Sequence, residues 1–235
     1  MTGGANSSVK IVPIPSPSRI MALTGLLKTT EKTSSSSTSV SPITGTVIVF
    51  DTSDQYIAAA LYRGKQEIKA TIEFMNRGQA ERLMSSLNEL LEGSSLTWSD
   101  VGKIGVCTGP GNFTGIRISV SAARGLALGL KVPAVGVNSF EATLYGYGDQ
   151  NLALLPANKG FYYVGSNPTN AKFISEDEID VKNGKYIRKS TPEVHLKNIA
   201  LLTQEKETEV SRPSPCYIKP ADASPNIDNV PNLLK

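Results

Sequence analysis

A chain of 235 residues has room for one large or two small domains, and 40% hydrophobic residues are enough to bury a real core. No apolar run approaches the roughly 20 residues of a membrane-spanning helix. The two cysteines, Cys107 and Cys216, stand far apart with no C-x-x-C pair and no histidine nearby, which fits a reducing compartment and argues against a structural zinc site. The formal charge of +3 comes from residues 1–45, where Lys10, Arg19, Lys28 and Lys32 face one acid, Glu31; the other 20 basic and 20 acidic residues balance, which excludes gripping phosphate backbone by net charge.

Residues 1–45 read as a disordered leader. Pro13, Pro15 and Pro17 alternate with small residues, Ser34 to Ser37 is a homopolymer run, and such a segment cannot bury enough surface to offset its ordering entropy. It is serine-rich and nearly acid-free, so three readings stay open: an organellar transit peptide, a dispensable tail on a cytoplasmic protein, or a mis-called start.

Thr46 to Phe50 is a β-branched and aromatic run that ends at Asp51-Thr52-Ser53. Gln55 to Tyr62 alternates, with Ile57, Ala59 and Leu61 on one face; Arg63-Gly64-Lys65 turns the chain into a third strand, Glu67 to Phe74, and the three form an antiparallel meander. From Gln79 to Glu92 the residues Leu83, Met84, Leu87, Leu90 and Leu91 fall on one helical stripe, which Gly93 terminates. Lys103 to Cys107 is a strand leading into a glycine-rich turn. A second helix runs from about Ile116 to Leu130, with Thr114 as its expected cap. Val132 to Val137 is the next strand, and Asn138 or Ser139 caps a helix to about Tyr145.

Past Gly148 the patterns weaken. Asn151 to Pro156 and Gly160 to Val164 read as strands, Gly165 to Asn170 as a loop, Glu176 to Asp180 as an acidic surface run, and His195 to Glu205 as a helix. A meander followed by α/β units is the layout of a ribonuclease H-like half-domain, and actin-like ATPases are built from two such halves. The expected fold is therefore α/β and actin-like, with a complete first lobe over 46–148 and a reduced second lobe over 149–235.

The turn Gly109-Pro110-Gly111-Asn112-Phe113-Thr114-Gly115-Ile116-Arg117 allows several readings. A dinucleotide fingerprint needs its third glycine one residue earlier and a carboxylate after the next strand, where Asn138 stands. A P-loop needs a lysine after Gly115, and there is none. A strand-to-helix turn kept tight for packing satisfies the same pattern. The stretch also resembles the G-P-G-S-F-T-G-L-R signature of the TsaB (YeaZ) family, departing only at Asn112 and Ile116. Ser214-Pro215-Cys216-Tyr217-Ile218-Lys219-Pro220 is similar to the P-x-Y-x-R-P tail of the same family.

The resemblance implies a non-catalytic subunit in the threonylcarbamoyladenosine modification of adenosine beside the anticodon of transfer RNA. It implies that the chain activates a catalytic paralogue of the TsaD type, meets a small ATPase of the TsaE type, and can also form a homodimer. Transfer RNA would be reached only through the complex, and ATP or ADP would sit at the complex interface. The helix pair is the implied contact, through Leu83, Leu87, Ser119, Ala122, Ala123 and Leu126.

The candidate chemistry is sparse. Asp51, Thr52 and Ser53 end the first strand, where actin-like enzymes place a phosphate-contacting carboxylate, and are the candidate nucleotide contacts. The paralogue's H-x-x-x-H metal pair cannot be built from a single histidine, and Gln79 stands where related sequences carry histidine. His195 has no partner for a triad in its local sequence, and Cys107 reads as a small buried hydrophobe. No metal and no catalytic residue is expected. The alternative is an enzyme in its own right, an ATP-dependent phosphotransferase or a glycoprotease-like member of the actin-like superfamily.

Overall fold

The structure, a computed structural model, describes residues 45–157, 160–179, 185–207 and 212–218. The leader up to residue 44 lies outside them, as do Asp180, Lys219 and Pro220.

Three strands open the chain: β1 (Thr46–Asp51), β2 (Tyr56–Arg63) and β3 (Gln66–Phe74). Helix α1 (Gln79–Glu92) leads by a 3-10 turn to β4 (Val101–Cys107), and α2 (Phe113–Leu130) leads to β5 (Ala134–Val137). The sheet order is β3-β2-β1-β4-β5, with β1, β2 and β3 antiparallel and β4 and β5 parallel to β1. Register places Asp51 opposite Ala58, and Cys107 opposite Val137.

Both faces of this sheet are covered. Ile48, Phe50, Ile57, Ala59 and Leu61 pack under Leu83, Leu87, Leu90 and Leu91 of α1 and Ala123 of α2. The opposite face, Val47, Val49, Tyr56, Ala58, Ala60 and Tyr62, packs against Ala142 of α3 (Ser139–Leu144) and Leu196, Ile199 and Ala200 of α4 (Pro192–Glu205). A strand covered on two sides needs apolar residues at every position, which is why β1 and β2 are buried almost throughout. The outer strand β3 carries Glu67, Lys69 and Glu73 and is largely exposed, a charged edge that resists pairing with another chain.

The second sheet holds β6 (Leu152–Pro156), β7 (Phe161–Gly165), β8 (Lys172–Ser175) and β9 (Tyr186–Arg188) in the order β8-β7-β6-β9. β6, β7 and β8 are antiparallel and β9 runs parallel to β6. This repeats the first four strands of the first sheet in order and direction. Among the described residues, a 3-10 turn at Glu176–Glu178 stands where the first sheet has α1. Phe140 of α3 joins Ala153 and Leu155 in a small core under this sheet.

Two local expectations need correction. Helix α2 starts at Phe113, and its cap is Asn112 rather than Thr114: the Asn112 side chain accepts the amides of Thr114 and Gly115 at 3.0 and 3.1 Å. Helix α4 starts at Pro192 after Thr191, with proline in the first turn, where its missing N–H costs nothing. The acidic run at Glu176 lies on the surface as expected, in a short 3-10 turn closed by a Ser175–Glu178 capping box.

Candidate functional site

The carboxyl ends of β1, β4 and β5 open on one side of the first sheet, where ligands of open α/β sheets bind. Asp51 ends β1 and Cys107 ends β4, while His195 reaches them from the first turns of α4; none is more than 1% exposed. Asp51 accepts the Ser53 amide at 2.7 Å and the Tyr56 hydroxyl at 2.9 Å. Burial pushes its carboxyl up, but the Lys189 ammonium, His195 and the Ser53 hydrogen bonds together hold it below the usual carboxylate range. Burial, reinforced by Asp51, pushes the Cys107 thiol up to about 12. Burial and Lys189 bring His195 down to about 4, against the opposing pull of Asp51 and Asp54. At neutral pH the cluster is thus a carboxylate, a thiol and an uncharged imidazole.

The glycine-rich turn closes on the end of β1. The Asn112 amide donates to Ser53 O at 2.7 Å, and Thr52 Oγ1 donates to Gly115 O at 2.6 Å. A Cβ on Gly111 would overlap the Ser53 carbonyl oxygen, and one on Gly115 would overlap that of Thr52. These glycines serve close approach between two segments of the chain. Asp51, Thr52 and Ser53, the candidate nucleotide contacts, are buried beneath the turn and hydrogen-bonded within the chain.

The rest of the signature reaches the tail. Phe113 lies against Tyr217, ring centroids 4.7 Å apart, and the Arg117 guanidinium sits 3.8 Å above the Phe113 ring. Arg117 Nε donates to the Tyr217 hydroxyl at 2.9 Å, and the Cys216 amide donates to Thr108 O at 2.8 Å. The two stretches singled out in the sequence are therefore two sides of one contact. Pro110 receives the Ser139 hydroxyl on its carbonyl at 3.0 Å, which fixes the start of α3 beside the turn.

Gln79 performs a positioning role: its side-chain amide donates to Asp54 O at 2.6 Å and Tyr56 O at 2.8 Å, fastening the start of α1 to the β1–β2 turn. Next to that turn, Tyr56, Phe74, Pro156 and Lys189 help line an open cleft of about 480 Å³ between the first sheet and the second.

The expected helix-pair contact is corrected by burial. Leu83, Leu87, Ser119 and Ala123 are at most 1% exposed and pack inside the fold, because the apolar stripe of each helix faces the sheet. Ala122 and Leu126 are half-buried. The outward face carries Met84, Ser121, Gly125 and Leu128 instead, with Leu128 79% exposed. The convergence of His195 with Asp51 and Cys107 was not legible in the sequence; it depends on α4 returning across the first sheet.

The strand order, parallel and antiparallel senses, and second partial repeat define an α/β protein of the actin-like, ribonuclease H-like class. A solved structure described as an uncharacterized protein with similarity to peptidase YEAZ from Pseudomonas aeruginosa shares this fold, with a TM-score of 0.53, 17% identity, and coverage of 74% of this chain and 100% of its own. The family model described as TsaD, tRNA N6-adenosine threonylcarbamoyltransferase, matches residues 73–222. The TsaB proteins of Bacillus subtilis and Escherichia coli, each named as a tRNA threonylcarbamoyladenosine biosynthesis protein, are 33% and 29% identical over 124 and 122 residues. These matches cover 51% and 50% of this chain and 54% and 52% of the relatives, so the chain spans about half the length of the curated relatives it matches. The chain belongs to this TsaD-related family, on its TsaB (YeaZ) branch.

Proposed function

We propose that this protein is a non-catalytic subunit in the threonylcarbamoyladenosine modification of transfer RNA, and that it binds and activates a catalytic paralogue of the TsaD type. The observation that carries this reading is the closure of the signature turn on the chain itself: Gly111 and Gly115 are occupied by the Ser53 and Thr52 carbonyls, not by a phosphate cradle. The relatives' names point the same way, and one histidine cannot supply the paralogue's two-histidine pair.

The outward face of α1 and α2 is the surface we assign to the paralogue. Small residues at Ser121 and Gly125 let another helix approach closely, and Met84 and Leu128 supply apolar contact. A nucleotide shared with the partner would use the cleft beside Tyr56, Phe74 and Lys189, where aromatic rings and a cation suit a base and a phosphate.

The test is co-purification with the paralogue, followed by transfer RNA modification with and without this chain. Modification should require both proteins, and the chain alone should neither modify transfer RNA nor hydrolyse ATP above background. Turnover by the purified chain alone would overturn the reading.

A further inference from the structure

Where β1, β4 and α4 meet, the chain buries three donors of the kind that hold a borderline metal ion. A carboxylate oxygen of Asp51, the sulfur of Cys107 and a ring nitrogen of His195 all lie within 4.8 Å of one another, and each residue is at most 1% exposed. Neither His195 nitrogen has a hydrogen-bond partner among the described residues. Buried polar atoms are seldom left so, because the lost hydration is not replaced. The three residues come from separate elements, 56 and 88 positions apart in order along the chain, so no local turn accounts for their meeting.

We propose that Asp51, Cys107 and His195 form a binding site for a single divalent cation of the zinc class. Sulfur, imidazole nitrogen and carboxylate oxygen together suit Zn²⁺ or Co²⁺ and disfavour Mg²⁺ or Ca²⁺. The charges balance. Asp51 enters as a carboxylate, Cys107 releases its thiol proton to solvent as the sulfur takes the metal, and His195 donates a lone pair without changing its proton count. One carboxylate and one thiolate then neutralise the dication, and the unpartnered imidazole gains a ligand bond.

Bond lengths of about 2.0–2.3 Å place tetrahedral ligands roughly 3.3–3.7 Å apart, so the donors draw inward by about 1 Å on binding. The Ser139 and Ser53 hydroxyls, 3.4 and 3.6 Å from Cys107 Sγ, are polar neighbours of the sulfur. Lys189 opposes a nearby cation, but its ammonium already pairs with Asp54 at 3.5 Å and has that carboxylate to turn to. The site lies on the α3–α4 side of the sheet, across from α1, and is separate from the histidine position that Gln79 replaces. It does not depend on the partner role proposed above.

The test uses the full chain without a histidine tag, produced in zinc-depleted medium with Co²⁺. We expect one Co²⁺ per chain and a thiolate-to-cobalt charge-transfer band that persists in Cys216→Ser and disappears in Cys107→Ser. His195→Gln, a neutral replacement, should lower Co²⁺ affinity at least tenfold. Zn²⁺ should displace the cobalt, and saturation at about 100 times Kd should raise Tm by roughly 5–10 °C over the metal-free chain. A wild-type chain that retains no Co²⁺, binds it without a sulfur band, or loses that band in Cys216→Ser overturns the proposal. The wild-type and Cys216→Ser spectra decide the matter even if Cys107→Ser does not fold.

Discussion

The backbone of Thr52 fills the space that any side chain on Gly115 would need, while the Thr52 hydroxyl donates to the Gly115 carbonyl at 2.6 Å. One residue pair thus joins the end of β1 to the first turn of α2. Gly115→Ala should cost about 1–3 kcal/mol through overpacking, a fall in Tm of roughly 3–10 °C. Gly125→Ala is the control in the same helix: a Cβ there meets nothing within 4 Å, so alanine's better helix propensity should stabilise by about 1 kcal/mol. Thermal melts of the two variants should move in opposite directions.

Gln79 gives a second test. Its amide satisfies the carbonyls of Asp54 and Tyr56, and Gln79 is 7% exposed. Gln79→Ala removes both donors and should cost about 1–3 kcal/mol. Hydrogen exchange should rise first at the start of α1 and in the β1–β2 turn. Uniform exchange across the sheet, with no local increase, would contradict the fastening role.

The contact between the signature and the tail can be measured as a coupling. Arg117→Ala removes the guanidinium from both the Phe113 ring and the Tyr217 hydroxyl; Tyr217→Phe removes only the hydroxyl. Because Tyr217 is 42% exposed, a coupling of about 0.5–1 kcal/mol is expected from the double-mutant cycle. Strict additivity would mean that the pair contributes nothing.

The proposed partner surface differs from the core in exposure. Leu128→Glu, at a site 79% exposed, should leave Tm unchanged and weaken paralogue binding at least tenfold. Leu87→Ala should instead destabilise the chain by about 2–5 kcal/mol, because Leu87 is wholly buried. Ala123→Glu places a charge in the same core and should abolish folding. Undiminished paralogue binding by a folded Leu128→Glu variant would remove this face from consideration.

The first sheet was legible because its signals are local. The β-branched run at Thr46, the helical stripe from Leu83 to Leu91 and the turn glycines each specify an element without distant information. Alternation in β2 suggested one buried face, Ile57, Ala59 and Leu61, but Ala58, Ala60 and Tyr62 are buried too, because α4 covers the other side. β8 and β9 were missed: they are four and three residues long and partly exposed, too short for a period-2 pattern to stand out. The family resemblance implied Leu83 and Leu87 as partner contacts, whereas both are buried against the sheet. His195 illustrates the main limit of local reading. Nothing near it in sequence marks it, and its neighbours Asp51 and Cys107 are supplied by topology alone.

Helix α4, which covers Val47, Val49, Ala58 and Ala60 from the far side, is formed by residues made after the whole second sheet. On the ribosome, β1 and β2 must therefore wait with one apolar face uncovered until residue 205 has emerged. A nascent chain stalled before Pro192 would present that face to solvent and to its neighbours, a liability for aggregation. Among the described elements, the helix made last is what completes the sheet begun first.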